Sequence, residues 1–215
     1  MVDRSPKGTP DPQSMPVWQR TRRDEIVVAA VRLLDRQTYD QIQIKDVAKD
    51  AGVALATLYR YFRSKELLYA AVLTEWTSWQ DGPLVAGDTA EDRLRCKVRL
   101  LISSVEKRPN FFTMELALQS TTDPQVKELQ SAWSRAGAAW LVSDLQVLGE
   151  ERSRQTAVMM WAVVNHVLKQ ATLHGEPFED GLATTEAFIE LIAGPLADAE
   201  KEHYAERRGL PKTET

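Results

Sequence analysis

A single cysteine, Cys96, stands among 215 residues, so no intrachain disulfide can form, and the chain reads as cytoplasmic, suited to a reducing compartment. No stretch approaches the roughly 18 consecutive apolar residues of a membrane span, and the N-terminus has no apolar core of the kind a signal peptide needs. A Gly-rich phosphate loop is missing, and so is the Gly-x-Ser-x-Gly turn of the serine hydrolases. Histidine is scarce: His166, His174 and His203 all fall late in the chain. His166 and His174 lie two helical turns apart, too far to chelate a metal by themselves. The expectation is a non-enzyme with no catalytic residues, no metal set and no cofactor. Period-two alternation is also lacking, which excludes half-buried strands and leaves an all-α chain.

The charge that is present is unevenly spread. The net charge is −4, yet the first 65 residues carry 12 Lys/Arg against 8 Asp/Glu, and the remainder carries 15 against 23. A basic head on an acidic body is the arrangement expected of a DNA reader with a separate sensing region. Residues 1–17 hold Pro6, Pro10, Pro12 and Pro16 among small polar residues and read as a disordered arm. A helix is expected from about Trp18 to Arg36, with Ile26, Ala29, Ala30, Leu33 and Leu34 inward. Arg20, Arg22 and Arg23 crowd its start. Cations there oppose the helix dipole, which points to a phosphate or minor-groove role. Val47, Ala48 and Ala51 line one side of a short helix that Gly52 breaks, since glycine takes the left-handed turn at no Cβ cost. A second short helix, about Leu55 to Phe62, buries Leu58 and Phe62. It turns Thr57, Tyr59, Arg60 and Arg63 outward beside the small Ala56. Two short helices joined at a glycine, the second small, basic and aromatic on its outer face, describe a helix-turn-helix shaped for the major groove.

Ile44, Val47-Ala48, Ala51-Gly52-Val53, Thr57-Leu58-Tyr59, Tyr61-Phe62, Lys65 and Leu68 resemble the N-terminal signature of the TetR family of transcriptional regulators, in register across three helices. The resemblance implies that Thr57, Tyr59, Tyr61 and Lys65 hold phosphates, that Lys45 and Arg60 reach base edges, and that Gln43 touches phosphate or base. Two departures stand out. Ala54 occupies a position where a capping Ser is frequent, and Leu55 one where a polar residue is frequent. Ala cannot cap, at a cost of about 1 kcal/mol, and Leu55 could touch a base only at a thymine methyl. The Leu58-to-Phe62 run and Asn110-Phe111-Phe112 are also similar to the actinobacterial TetR-type repressors of steroid catabolism.

The body is read as further helices: Lys65 to about Gln80, Thr89 to Arg108, Phe111 to Ser120, Asp123 to about Leu148, Arg152 to His174, and Leu182 to His203 with an interruption at Gly194-Pro195. In similar regulators the middle helices enclose an effector, and adaptable bulky side chains suit a hydrophobic one. The candidates are Trp76, Phe111, Phe112, Met114, Trp133, Trp140, Met159, Trp161 and His166, although each also fits an ordinary core. The helix from Arg152 is apolar over so wide an arc that two sides must be covered. The resemblance implies a homodimer through Val164, Val167, Leu168, Ala171, Phe188, Leu191, Ile192 and Leu196. Cys96, beside Arg95 and Lys97, is open to two readings, a redox sensor or a buried structural thiol. The expected organisation is an arm (1–17), a DNA-binding head (18–64), an effector-binding and dimerising body (65–204) and a tail (205–215). The expected function is ligand-responsive transcriptional control. The favoured form is repression at a palindromic double-stranded operator, relieved by a small hydrophobic effector. The alternatives are an activator with the same head, or a regulator acting through a protein partner.

Overall fold

A computed structural model describes residues 15–76 and 85–208. The arm before residue 15, the Asp81-Gly82-Pro83 stop and the tail beyond 208 lie outside the described residues. Trp76 is described only in its backbone. Among the described residues the structure is all-α: α1 (Val17–Leu34), α2 (Ile44–Asp50), α3 (Leu55–Tyr61), α4 (Lys65–Trp76), α5 (Ala90–Lys107), α6 (Pro109–Leu118), α7 (Pro124–Val142), α8 (Glu150–His174) and α9 (Phe178–Arg208). Single 3-10 turns at Tyr39–Gln41 and Gln146–Leu148 join them.

Two boundaries differ from the periodicity. α7 ends at Val142 rather than near Leu148, and the 3-10 turn leads to Gly149. α9 continues through Pro195 to Arg208 without ending at Gly194-Pro195. Proline removes one backbone donor and crowds the preceding turn, but that loss is local within a helix of 31 residues.

The chain forms two compact units, and the division does not fall at the head boundary expected from the sequence. One unit takes the chain up to residue 78 together with 110–133; the other takes 79–109 and 134 onward. The first unit therefore contains α1–α4, nearly all of α6 and the first half of α7. Its core runs from Ile26, Ala30 and Leu34 through Leu58, Phe62 and Leu68 to Phe111, Met114, Leu118 and Val126, with Trp133 packed against it. Polar contacts reinforce the same junction. The Asn110 side-chain amide donates to the Leu34 carbonyl at 2.9 Å. The Thr121 hydroxyl donates to Glu66 at 3.0 Å, and Arg63 pairs with Asp123 at 3.2 Å.

In the second unit α9 packs against both α5 and α8. Thr89 caps α5 by accepting the Asp92 N–H at 3.1 Å. The Glu200 carboxylate accepts the Ala90 N–H at 2.7 Å, tying α9 to the start of α5. Gly137 lets α7 approach Trp161 closely: a Cβ there would lie 3.2 Å from the indole ring. Lys97 is buried on α5. Its ammonium pairs with Asp144, donates to the Trp140 carbonyl at 2.5 Å and to Ser143 Oγ at 2.7 Å, and lies 4.9 Å from the Trp140 ring centroid. Arg93 takes the other oxygen of Asp144 at 2.9 Å. A charge removed from water costs several kcal/mol unless it is paired and hydrogen-bonded; Lys97 is paired with Asp144 and donates to the Trp140 carbonyl and to Ser143. Lys97 follows Leu94 and precedes Leu101 on the inward stripe, which is the periodicity that could have placed it inside.

Candidate nucleic-acid interface

The interface is built on the α2–α3 turn. Gly52 takes φ +64°, and the Val53 N–H then closes onto the Ala48 carbonyl at 3.0 Å. As the sequence implies, Ala54 gives α3 no side-chain cap. Leu58 and Phe62 anchor α3 in the core, and Arg32 fastens α1 to the end of α2 through Asp50 at 2.7 Å.

The outer face of α3 presents Leu55, Ala56, Tyr59 and Arg60 to solvent, with Thr57 half-buried. Leu55 is 42% exposed and Tyr59 48%. Gln43 and Lys45 are exposed at the start of α2, and Arg20 and Arg22 on α1. Arg22 is already paired with Glu25 at 2.9 Å. From Ala51 to Lys65 the chain carries Arg60, Arg63 and Lys65 and no acidic residue. A segment without carboxylates is one that phosphates can approach.

Three residues expected at DNA are used differently. Tyr61 is only 5% exposed. It lies three residues after Leu58 and so shares its inward face, while Arg60 lies 5.7 Å from its ring centroid. Arg23 covers Phe62, with its guanidinium 5.2 Å from the ring centroid. Lys65 is half-buried; its ammonium donates to the Tyr39 carbonyl and sits 4.1 Å from the Tyr39 ring centroid. Burial pushes the Lys65 pKa down, with Asp40 opposing. The Tyr39 hydroxyl is pushed up to about 12 by burial, then by Glu66 and Asp40. Tyr39 meets Tyr69 edge-on at 5.3 Å, so Lys65 acts as a brace between the α1–α2 connection and α4.

The expected effector residues are divided. Phe111, Met114 and Trp133 gather in the core of the first unit, and Phe112 is buried. Trp140 and Trp161 are half-buried in the second unit. Met159 does not point inward: it is exposed, and its neighbour Met160 fills the core. His166 is likewise exposed, on a shallow groove of about 210 Å³ with Gln170, Glu176 and Asp180. Cys96 is exposed, which removes the buried-thiol reading.

The expected dimer residues need the largest correction. Val164, Val167, Leu168, Ala171 and Leu196 are buried within the single chain, because α9 and α5 cover that side of α8. Phe188 and Ile192 are half-buried, and Leu191 is 78% exposed. The uncovered face of α8 instead runs Val158, Ala162, His166, Lys169 and Leu173 at helical spacing, and on α9 Ala187 and Leu191 are exposed as well. Val158 is 62% exposed.

Residues 26–72 match the family model described as "Bacterial regulatory proteins, tetR family". Over 132 residues the chain is 32% identical to the HTH-type transcriptional repressor KstR of Mycobacterium tuberculosis, covering 56% of this chain and 60% of that one; it thus spans about three fifths of that relative's length. A TetR transcriptional regulator from Rhodococcus sp. RHA1 superposes with a TM-score of 0.69 at 22% identity, over 81% of this chain and 96% of the other. The transcriptional regulator FadR from Bacillus subtilis, solved in complex with stearoyl-CoA, superposes with a TM-score of 0.62 at 18% identity, over 79% and 96%. These two structures share the fold.

Proposed function

We propose, from the match of residues 26–72 to the TetR family model, that the chain is a TetR-type, ligand-responsive regulator of transcription. It holds a palindromic operator as a homodimer and releases it when a small hydrophobic effector binds. The observation that carries this reading is the shared core of the first unit: the helix that meets DNA, α3, packs in one cluster with α6 and the first half of α7. An effector that repacks Phe111, Met114 or Trp133 thereby acts on the head itself. The Arg63–Asp123, Glu66–Thr121 and Asn110–Leu34 contacts carry the displacement. Densely packed cores switch between discrete arrangements rather than deforming continuously. The FadR complex with stearoyl-CoA supports an effector with a long apolar portion, such as an acyl chain. The chain acts as a regulator and not as an enzyme.

Exposed Tyr59 is assigned to phosphate with Thr57, and Lys45 and Arg60 to base edges, with Gln43, Arg20 and Arg22 flanking. The dimer forms through the uncovered α8–α9 face, Val158, Ala162, Leu173, Ala187 and Leu191. A symmetric dimer engages two half-sites about 34 Å apart, or a multiple of that. The effector must bind the splayed form better than the DNA-competent form, because tight binding to both shifts nothing.

Linkage supplies the test. Selection from a random duplex pool yields the operator, and a melting-shift screen of apolar metabolites, acyl-CoAs and steroids included, yields the effector. Operator DNA should weaken effector binding by the same factor by which effector weakens operator binding. Equal effector affinity with and without operator, titrated at one salt concentration, overturns effector-driven release and favours control through a protein partner.

A further inference from the structure

We propose that Leu55 is a specificity-determining residue that reads the 5-methyl group of a thymine in each half-site. The proposal rests on the DNA-binding reading above and adds what that reading leaves open, namely which base chemistry α3 recognises.

Leu55 is the first residue of α3, and recognition helices of this kind reach base edges from their N-terminal residues. Its side chain lies outside the buried core. It is 42% exposed, while Leu58, Tyr61 and Phe62 on the opposite side fill the core. A large apolar side chain left in solvent on a segment that carries no acidic residue has one complementary feature in the major groove. The other groups displayed there are chiefly hydrogen-bond donors and acceptors, and among the four bases only thymine offers a methyl.

The neighbours narrow the choice further. Ala54 and Ala56 flank Leu55 and are exposed, so neither side chain holds the helix away from the base edges, and neither donates or accepts a hydrogen bond. Tyr59, one turn on, is also exposed and continues the apolar strip with its ring. The first exposed side chain of α3 able to form a forked pair with a base is Arg60, and its guanidinium lies toward the Tyr61 ring. The first turn of α3 therefore reads by shape and methyl contact, where a polar residue would read by hydrogen bonding.

The probe is uracil in place of thymine, which deletes the methyl and leaves every hydrogen-bonding group in place. Full-length protein is used to select an operator, and each selected thymine is then replaced singly. At one position per half-site the wild-type protein should bind about four-fold more weakly, and about fifteen-fold when both half-sites are changed, as expected for one lost methyl contact each. Leu55→Ala should bind the thymine and uracil operators equally, with an unchanged salt slope because no phosphate contact is lost. Its helical content and melting point should also be unchanged, since Leu55 lies outside the core. The uracil scan on wild-type protein stands even if that variant folds poorly. If no position shows a methyl effect, or if the effect persists undiminished in a folded Leu55→Ala, the proposal is overturned while operator binding stands. If the pool yields no preferred duplex, both the proposal and the DNA-binding reading fall.

Discussion

Leu191→Arg should convert the proposed dimer to monomers while leaving the subunit folded. In a two-fold interface the same side chain is buried twice. Removing a Leu side chain from water is worth about 1.5–3 kcal/mol, so losing both copies removes about 3–6 kcal/mol. The two introduced guanidinium groups add desolvation cost at the interface. At about 1.4 kcal/mol per decade, the dimer dissociation constant should rise by at least about 10²–10⁴. Leu191 is 78% exposed in the single chain, so far-UV helical content at high concentration should match wild type. Val164→Arg is the contrast. Val164 is wholly buried in its own chain, so the substitution strands an unpaired charge inside the second unit and should unfold it. Sedimentation velocity over a wide concentration range, with circular dichroism on the same samples, separates the two outcomes. A Leu191→Arg protein that still sediments as a dimer at wild-type affinity, or a Val164→Arg protein that is a well-folded monomer, would refute the assignment of faces.

Lys97→Ala leaves Asp144 buried with only Arg93. Breaking a buried pair costs about 3–5 kcal/mol, and at about 2–4 °C per kcal/mol for a chain of this size the melting point should fall by roughly 6–20 °C. Lys97→Met combined with Asp144→Leu should recover most of that loss, and a double-mutant cycle by calorimetry checks it. Asp123, at the start of α7, supplies a pH dependence. Burial pushes its carboxyl pKa up, but the Gln125 N–H, the Arg63 guanidinium and the Val126 N–H together hold it below its ordinary value of 3.8. A depressed pKa stabilises the fold above the unfolded-state value, and that stability is lost as pH falls through the folded-state value. Melting points measured below about pH 4 should therefore decline more steeply for wild type than for Asp123→Asn, and parallel curves would count against the pairing.

Local signals were sufficient for much of this. The Gly52 turn, the Leu58–Phe62 anchor, the exposed Leu55, Ala56, Tyr59 and Arg60, and the helix starts at Lys65, Thr89 and Pro124 all follow from residue chemistry within a few positions. A helical period shows which residues share a face and where caps interrupt it, and those are properties of neighbours in sequence. The missing cap at Ala54 was equally legible, because capping is local.

What the period cannot show is which of two apolar faces meets the chain itself. On α8 the arcs through Val164 and through Val158 look alike in sequence, and only the position of α9 and α5 buries the first and leaves the second uncovered. The same ambiguity put Met159 inside in place of Met160, and His166 inside when it faces solvent. The resemblance places Tyr61 and Lys65 at phosphate, and the crowding of cations at the start of α1 places Arg23 there. Tertiary packing assigned them instead to Leu58, Phe62 and Tyr39, since an amphipathic side chain can spend its apolar part on a core and its polar end on a carbonyl or a ring. The grouping of the head with α6 and the first half of α7 was also invisible in sequence. It depends on contacts between segments far apart in the chain, such as Arg63 with Asp123 and Leu34 with Asn110. Composition and periodicity determined that this chain is helical, with a basic head whose two short helices join at Gly52. The three-dimensional packing decided which residues that head leaves free, because burial is a property of neighbours in space.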